Sequence, residues 1–311
     1  MKYSIVVPVY KNEESIARLL DVLTQMNMSL NGELEVVFVV DGSPDRSFEF
    51  LRDALNDLAF PAQLLTHSRN FGSFPAIRTG LSVARGEYFC AMAADLQEPP
   101  ELFVSMFSGL ANDECDVVIG NRTRREDSVS SKLASGFFWW MYRNLVVKEM
   151  PRGGVDVFGC NRNFRQELLL LEESRSSLIA LIFWLGFRRK IVNYSRSTRQ
   201  EGKSAWTIRK KIDYMTDSIF SFTDLPIRLL IRIGAIGTIA AIVVGVAVVV
   251  AHLTGAINVP GYVPTVLLVL AMGTLNLFGL GLIGSYAWRG YENSKQRPMA
   301  VVASSVKNNR D

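Results

Sequence analysis

YSIVVPVYKNEE, residues 3–14, and EVVFVVDGSPD, residues 35–45, decide the fold. Residues 3–9 and 35–40 are short apolar runs rich in β-branched side chains, the pattern of strands buried on both faces of a parallel sheet. Each run stops at a polar cluster. Between them Ile16, Leu19, Leu20 and Leu23 recur at helical spacing, so residues 13–26 read as an amphipathic helix and the whole as a βαβ unit. The alternation continues. Strands are predicted at 62–66, 88–93 and 117–119, and helices at 47–58, 74–84 and 100–109. Such alternation specifies an open α/β sheet, whose ligands bind beyond the carboxyl ends of the strands. After Arg122 the pattern weakens into a polar stretch, 123–132, and an aromatic run, 137–142.

The chain changes character near residue 233. Charged side chains are spread through the first 230 positions and then vanish between Gly234 and Ala287. Two apolar runs, 233–253 and 263–286, are each long enough to cross about 30 Å of hydrocarbon as a helix. The connector between them has no Lys or Arg, whereas Arg228 and Arg232 precede the first run and Arg289, Lys295 and Arg297 follow the second. This asymmetry places both ends of a hairpin in the cytoplasm. Residues 206–232 mix basic and apolar side chains in the manner of helices lying at the headgroups of a bilayer. The expected organisation is therefore a catalytic α/β domain at 1–205, interfacial helices at 206–232, two spans within 233–288 and a basic tail at 289–311. The whole α/β core is expected upstream of Trp206.

Composition narrows the function. A net charge of +4 without a basic block interleaved with aromatics gives no nucleic-acid surface. Cys90, Cys115 and Cys160 lack metal-ligand spacing and read as reduced, packed thiols. Met1–Val9 is too short for a cleavable secretory segment, so the N-terminal domain is expected to stay in the cytoplasm. Glycines within both apolar runs suit close helix packing and a homo-oligomer.

The polar clusters that follow the strands carry the chemistry. Asp41-Gly-Ser43 alone is also an ordinary turn. Asp95-Leu-Gln97 is sharper, because a carboxylate and an amide two residues apart can both face one hard cation and leave room for phosphate and water oxygens. An aspartate capping the helix after Pro99-Pro100 is the structural alternative.

In order along the chain stand Val7-Pro-Val-Tyr-Lys-Asn-Glu-Glu14, Asp41-Gly-Ser-Pro-Asp45, Ser68-Arg-Asn-Phe-Gly72, Asp95-Leu-Gln-Glu-Pro-Pro100, Gly120-Asn-Arg122, Gly154-Val-Asp-Val-Phe158 and Arg199-Gln-Glu-Gly-Lys-Ser204. Together they resemble the family 2 glycosyltransferases of the GT-A fold, within it the dolichol-phosphate mannose synthase and bactoprenol glucosyltransferase group. The resemblance covers nearly the whole chain. It implies a nucleotide-sugar site at Pro8, Tyr10, Glu13, Asp41, Ser43, Arg69 and Asp95, and a Mg²⁺ or Mn²⁺ ion on Asp95 and Gln97. Ala93 stands where the family usually has its first metal-element aspartate, which removes one possible contact. Asp156 falls at the acceptor-site carboxylate, and Arg122, Arg199 and Lys203 are candidates to offset the repulsion between acceptor phosphate and donor diphosphate.

The reaction so implied is transfer from a UDP-sugar to polyprenyl phosphate, undecaprenyl phosphate in a bacterial plasma membrane, with inversion. Glucose is the first expectation for the sugar and surface-glycan (O-antigen) modification for its use, although no single residue separates glucose from other sugars. A non-catalytic nucleotide-sugar-binding scaffold and a processive polysaccharide synthase are the rival readings.

Overall fold

The structure is a computed structural model that describes residues 1–124, 143–144, 147, 149–151, 155, 157–173, 177–195, 216–220, 223, 225–254, 261–308 and 310. It divides into two compact units, Met1–Tyr214 with Arg297–Asp311, and Met215–Gln296.

The first unit is built on β1 (Tyr3–Val9), β2 (Leu34–Val40), β3 (Ala62–His67) and β4 (Tyr88–Ala91), which pair in parallel in the order β4-β1-β2-β3. Their side chains alternate between two buried faces. Ile5, Val7 and Val9 join a cluster with Leu19 and Leu23 of α1 (Ile16–Ser29), Leu51 of α2 (Ser47–Ala54) and Phe103 and Phe107 of α4 (Pro100–Ala111). On the opposite face Val6 meets α3 (Ser73–Val83), where Gly80 comes so close that a Cβ would lie 2.2 Å from a Val6 methyl. Only glycine permits this helix to rest on the strand. The predicted strands and helices of this half are therefore present within a few residues, except that the first helix opens with a 3₁₀ turn at Glu13–Ser15 and α2 ends in another at Leu55–Asp57.

The remaining strands turn the sheet from parallel to mixed. β5 (Val117–Arg124) is longer than predicted, and β6 (Val157–Asn161) lies antiparallel between β4 and β5. β7 (Arg189–Ser195) pairs in parallel with β5. α5 (Arg162–Leu170) and α6 (Leu178–Trp184) complete this side. At the other edge β8 (Val302–Lys307) pairs antiparallel with β3. The segment expected to be a basic tail thus supplies the eighth strand, in the order β7-β5-β6-β4-β1-β2-β3-β8, and the core is not wholly upstream of Trp206. Cys90, Cys115 and Cys160 are free and buried, as read from the sequence, and burial pushes all three thiols upward in pKa.

The second unit holds two long helices, α7 (Leu225–Leu253) and α8 (Tyr262–Ser294), over the predicted hairpin. Among the described residues no helix presents a stretch long and apolar enough to cross a membrane; the side chains of several residues within both helices lie outside that set. Those described leave Ile231, Ile236, Ile239, Val243, Val246, Leu268, Val269, Leu280 and Ile283 exposed. Among the described residues, a Cβ at Gly234, Gly237, Gly273, Gly281 or Gly284 would meet nothing within 4 Å, and one at Gly279 would meet Leu230.

Candidate active site

The strand order sets where a ligand can enter. The chain leaves β1 toward β2 and β3, then crosses back to place β4 on the other side of β1, so the sheet has its topological switch point between the carboxyl ends of β1 and β4. The segments after both strands meet there, and the Ser15 hydroxyl donates to the Ala94 carbonyl at 3.1 Å. Four residues just past the ends of β1 to β4 have positive φ: Lys11 (57°), Gly42 (56°), Gly72 (105°) and Leu96 (52°). For Lys11 and Leu96 that left-handed geometry costs about 1–2 kcal/mol each. Backbone strain of this kind is held where surrounding contacts over-determine it.

Asp41 is the best-held carboxylate of the rim. It is buried; Oδ1 lies 2.8 Å from His67 Nδ1 and accepts the Phe71 N–H at 2.9 Å, while Oδ2 accepts the Gly72 N–H at 2.7 Å. His67 Nε2 lies 3.0 Å from the Thr79 hydroxyl. The 68–72 loop is thereby drawn over Gly42, where a Cβ would sit 2.3 Å from the Arg69 carbonyl carbon. Asp41 fastens the loop from below.

Asp45 organises the next layer. It accepts from the Ser43 hydroxyl (2.5 Å), the Ser47 hydroxyl (2.9 Å) and the Glu13 N–H (3.2 Å). Burial raises its pKa, but the Ser43, Ser47 and Glu13 hydrogen bonds outweigh that and hold the carboxyl below the ordinary aspartate range. Ser43 Oγ in turn accepts the Lys11 N–H at 2.8 Å, and the Glu13 carboxylate accepts the Arg46 N–H at 2.9 Å. Of the residues predicted to hold nucleotide-sugar, Asp41, Ser43 and Glu13 therefore shape the loops. Pro8 closes toward the end of β1, and Tyr10 and Arg69 are exposed on the rim. Lys11 Nζ lies 5.5 Å from the Tyr10 ring centroid, and the Arg69 guanidinium 4.0 Å from that of Phe71. The sequence assigns no such positioning role to Asp45, Ser15 or His67. Asp45-x-Ser47 ahead of a helix was the available signal for the first, whereas nothing local marks the other two.

Asp95 and Gln97 follow β4 on either side of the strained Leu96, both half-buried at the same rim. Among the described residues no three His, Cys, Asp or Glu side chains converge on one point. A divalent ion here would have the Asp95 carboxylate and the Gln97 amide oxygen as hard donors, with phosphate and water oxygens completing the shell, which suits Mg²⁺. Arg122 lies in β5, which runs parallel to β4, and so stands at the same carboxyl edge, half-buried. Asp156, Arg199 and Lys203 lie outside the described residues.

A switch-point site on a mixed α/β sheet is joined here by sequence likeness. The sequence profile of Glycosyl transferase family 2 matches residues 4–170. The chain belongs to this family. It is a glycosyltransferase with a GT-A-like mixed sheet, and the resemblance read from its motifs holds. The likeness extends past the matched region. "Putative glycosyltransferase CsbB" of Bacillus subtilis is 30% identical over 308 residues, covering 99% of this chain and 93% of its own. "Undecaprenyl-phosphate 4-deoxy-4-formamido-L-arabinose transferase" of Proteus mirabilis is 32% identical over 312 residues, covering 98% and 94%. Among solved structures, S. aureus TarS 1-349 in complex with UDP-GlcNAc aligns at 17% identity over 71% of this chain and 67% of its own, with a TM-score of 0.48.

Proposed function

We propose that this glycosyltransferase moves a sugar from a UDP-sugar to a polyprenyl phosphate, undecaprenyl phosphate first, in a single displacement that inverts the anomeric centre. The observation that carries this reading is the end-to-end likeness to the undecaprenyl-phosphate transferase of P. mirabilis, helical tail included. An acceptor phosphate oxygen forms a bond to the anomeric carbon as the bond from that carbon to the UDP oxygen breaks, and UDP leaves. Prenyl phosphate is already anionic at neutral pH, so Asp156 orients it or takes a residual proton. Arg122, Arg199 and Lys203 offset the repulsion between the two anionic substrates. Tyr10 and Arg69 present the exposed surface for the nucleotide. Asp95 and Gln97 hold the Mg²⁺ or Mn²⁺, which when bound neutralises charge on the departing diphosphate.

In the same reading α7 and α8 cross the bacterial plasma membrane, and of the segment read as interfacial, 206–232, the part ahead of α7 lies along it, residues 225–232 being the first turns of α7. Exposed isoleucines, valines and leucines on both helices support this, being unfavourable in water. The end of α8 adds interfacial chemistry. Lys295 Nζ lies 5.0 Å from the Trp288 ring centroid and 4.2 Å from that of Tyr291, an aromatic and cationic group of the kind found at headgroup depth. Arg289 pairs with Asp217 at 2.7 Å. An even number of crossings also agrees with β8, since one sheet is shared by residues before and after the helices.

Glucose is the first sugar to test, and 4-deoxy-4-formamido-L-arabinose, named in curated relatives, the second. Ala93 motivates the rival, a nucleotide-sugar-binding scaffold without turnover. A panel of UDP-sugars screened for thermal stabilisation of the full-length protein, with and without Mg²⁺, identifies the donor, because a ligand of the native state raises its apparent stability. Failure of every UDP-sugar and of UDP itself to stabilise the protein would refute the donor assignment.

A further inference from the structure

We infer that the C-terminal strand positions the donor rim, with Asn308 as the positioning residue that latches it. This rests on reading the rim as the UDP-sugar site. β8 is exposed at all six residues, so its own burial does not explain its place on the sheet. What holds it is Asn308, which is itself buried. Its Oδ1 accepts the Ala62 N–H at 2.9 Å, its Nδ2 donates to the Phe60 and Leu55 carbonyls at 2.9 and 3.3 Å, and its own N–H reaches the Ala62 carbonyl at 3.1 Å. One side chain thus closes the amino end of β3 onto the end of β8.

The other end of the ladder leads into the site. Pairing runs from Gln63↔Lys307 to Thr66↔Ser304, then skips Ala303, so that His67 faces Val302 across a bulge. Bulges bend a strand and re-aim the side chains beside them. The residue opposite this one, His67, is the partner of Asp41. One position further, the Ser68 N–H donates to the Val301 carbonyl at 2.9 Å, anchoring the first residue of the loop whose Phe71 and Gly72 N–H groups meet Asp41. Asn308, the β8 ladder, His67 and the 68–72 loop form one continuous hydrogen-bonded path to the rim. A strand that only shielded the edge of β3 would need neither the bulge nor the Val301–Ser68 bond.

Linkage makes the claim testable from both directions. If docking of β8 tightens UDP binding by a given factor, UDP must strengthen the docking of β8 by the same factor. Asn308→Ala in the full-length protein is expected to raise the UDP dissociation constant and the donor KM about tenfold, within the usual range of coupling between sites, with kcat at saturating donor held within twofold. Arg165→Ala, which loosens the sheet-covering helices away from the rim, is the control for general destabilisation and should leave UDP affinity unchanged. In wild-type protein, UDP should slow amide exchange at residues 302–307 together with Ser68, Phe71 and Gly72, a readout that does not depend on the variant folding. UDP binding by the wild type with exchange slowed at the loop and unaltered at 302–307 would overturn the coupling and leave the donor site standing. Absence of UDP binding by the wild type would overturn the donor site and the coupling with it.

Discussion

Asp41 and His67 are joined through a buried 2.8 Å contact between Oδ1 and Nδ1, and the same carboxylate receives the backbone N–H groups of Phe71 and Gly72, one on each oxygen. Because both oxygens face an N–H, an asparagine at this position must turn its own NH₂ toward one of them. Asp41→Asn should therefore leave a buried donor unmatched, at about 1–3 kcal/mol, and release the 68–72 loop. The expected result is a lower thermal midpoint together with weaker calorimetric UDP binding. Unchanged values of both would remove Asp41 from its role as loop fastener.

Arg78 and Arg165 cap each other's helices. Arg78 of α3 donates to the Leu168 and Leu169 carbonyls at the end of α5, at 2.6 and 2.9 Å, and Arg165 of α5 donates to the Leu81 and Ser82 carbonyls at the end of α3, at 2.6 and 3.1 Å. These carbonyls lie in the last turns of the two helices, where the regular i to i+4 ladder runs out. Arg165→Ala should lower stability by about 2 kcal/mol while donor KM changes less than twofold. Arg78→Lys should be nearly as harmful as Arg78→Ala, since an ammonium cannot reproduce the planar fork across two carbonyls. Denaturant titration of the three variants provides the check.

Glu35 sits at the amino end of β2, away from the rim, with its side chain fully buried. Burial acts to raise its pKa, but hydrogen bonds from the Arg85 backbone and guanidinium, Ser4 and Gln63 outweigh it and hold the carboxyl below the ordinary glutamate range. A carboxyl lowered in the folded state stabilises above its unfolded pKa, and that stability is lost as pH falls through the folded value. The thermal midpoint should thus drop as pH falls below about 4.3, the ordinary glutamate pKa. Glu35→Gln should start lower at neutral pH and fall less steeply over that window. Parallel pH curves for the two proteins would contradict the assignment.

The parts of this fold legible in the sequence are those whose burial is periodic and local. β1 to β4 and α1 to α4 announce themselves because both faces of each strand and one face of each helix are apolar. β8 does not. Its Val-Ala-Ser-Ser-Val-Lys stretch is exposed, follows two apolar helices, and is defined by a partner some 240 residues earlier, as the Ala62–Asn308 bond shows. β7 begins Arg189-Lys190, and β6 is only five residues long with a central glycine, so neither offers an apolar run long enough to read as a strand by itself. The rim motifs were legible as positions and less so as roles. That Asp41 and Ser43 are occupied by the backbone of neighbouring loops depends on how closely the 68–72 loop crosses Gly42, which no spacing encodes.

Asp95 is the carboxylate that remains in the metal element, with Ala93 two residues before it. Asp95→Asn should lower turnover by at least a hundredfold, equivalent to about 2.7 kcal/mol of transition-state stabilisation, with Mg²⁺ present. Ala93→Asp should be tolerated and lower the Mg²⁺ concentration needed for half-maximal rate. Near-normal turnover by Asp95→Asn would withdraw the metal assignment.

The central claim is that the chain makes a lipid-linked monosaccharide. Full-length protein in vesicles containing undecaprenyl phosphate, supplied with labelled UDP-glucose and UDP-4-deoxy-4-formamido-L-arabinose in turn, should convert one of them into a label that partitions into organic solvent, with equimolar release of UDP. The product should carry the anomeric configuration opposite to that of the donor. Tight UDP-sugar binding with no lipid-soluble label and no UDP release for either donor would contradict the account and favour a nucleotide-sugar-binding scaffold.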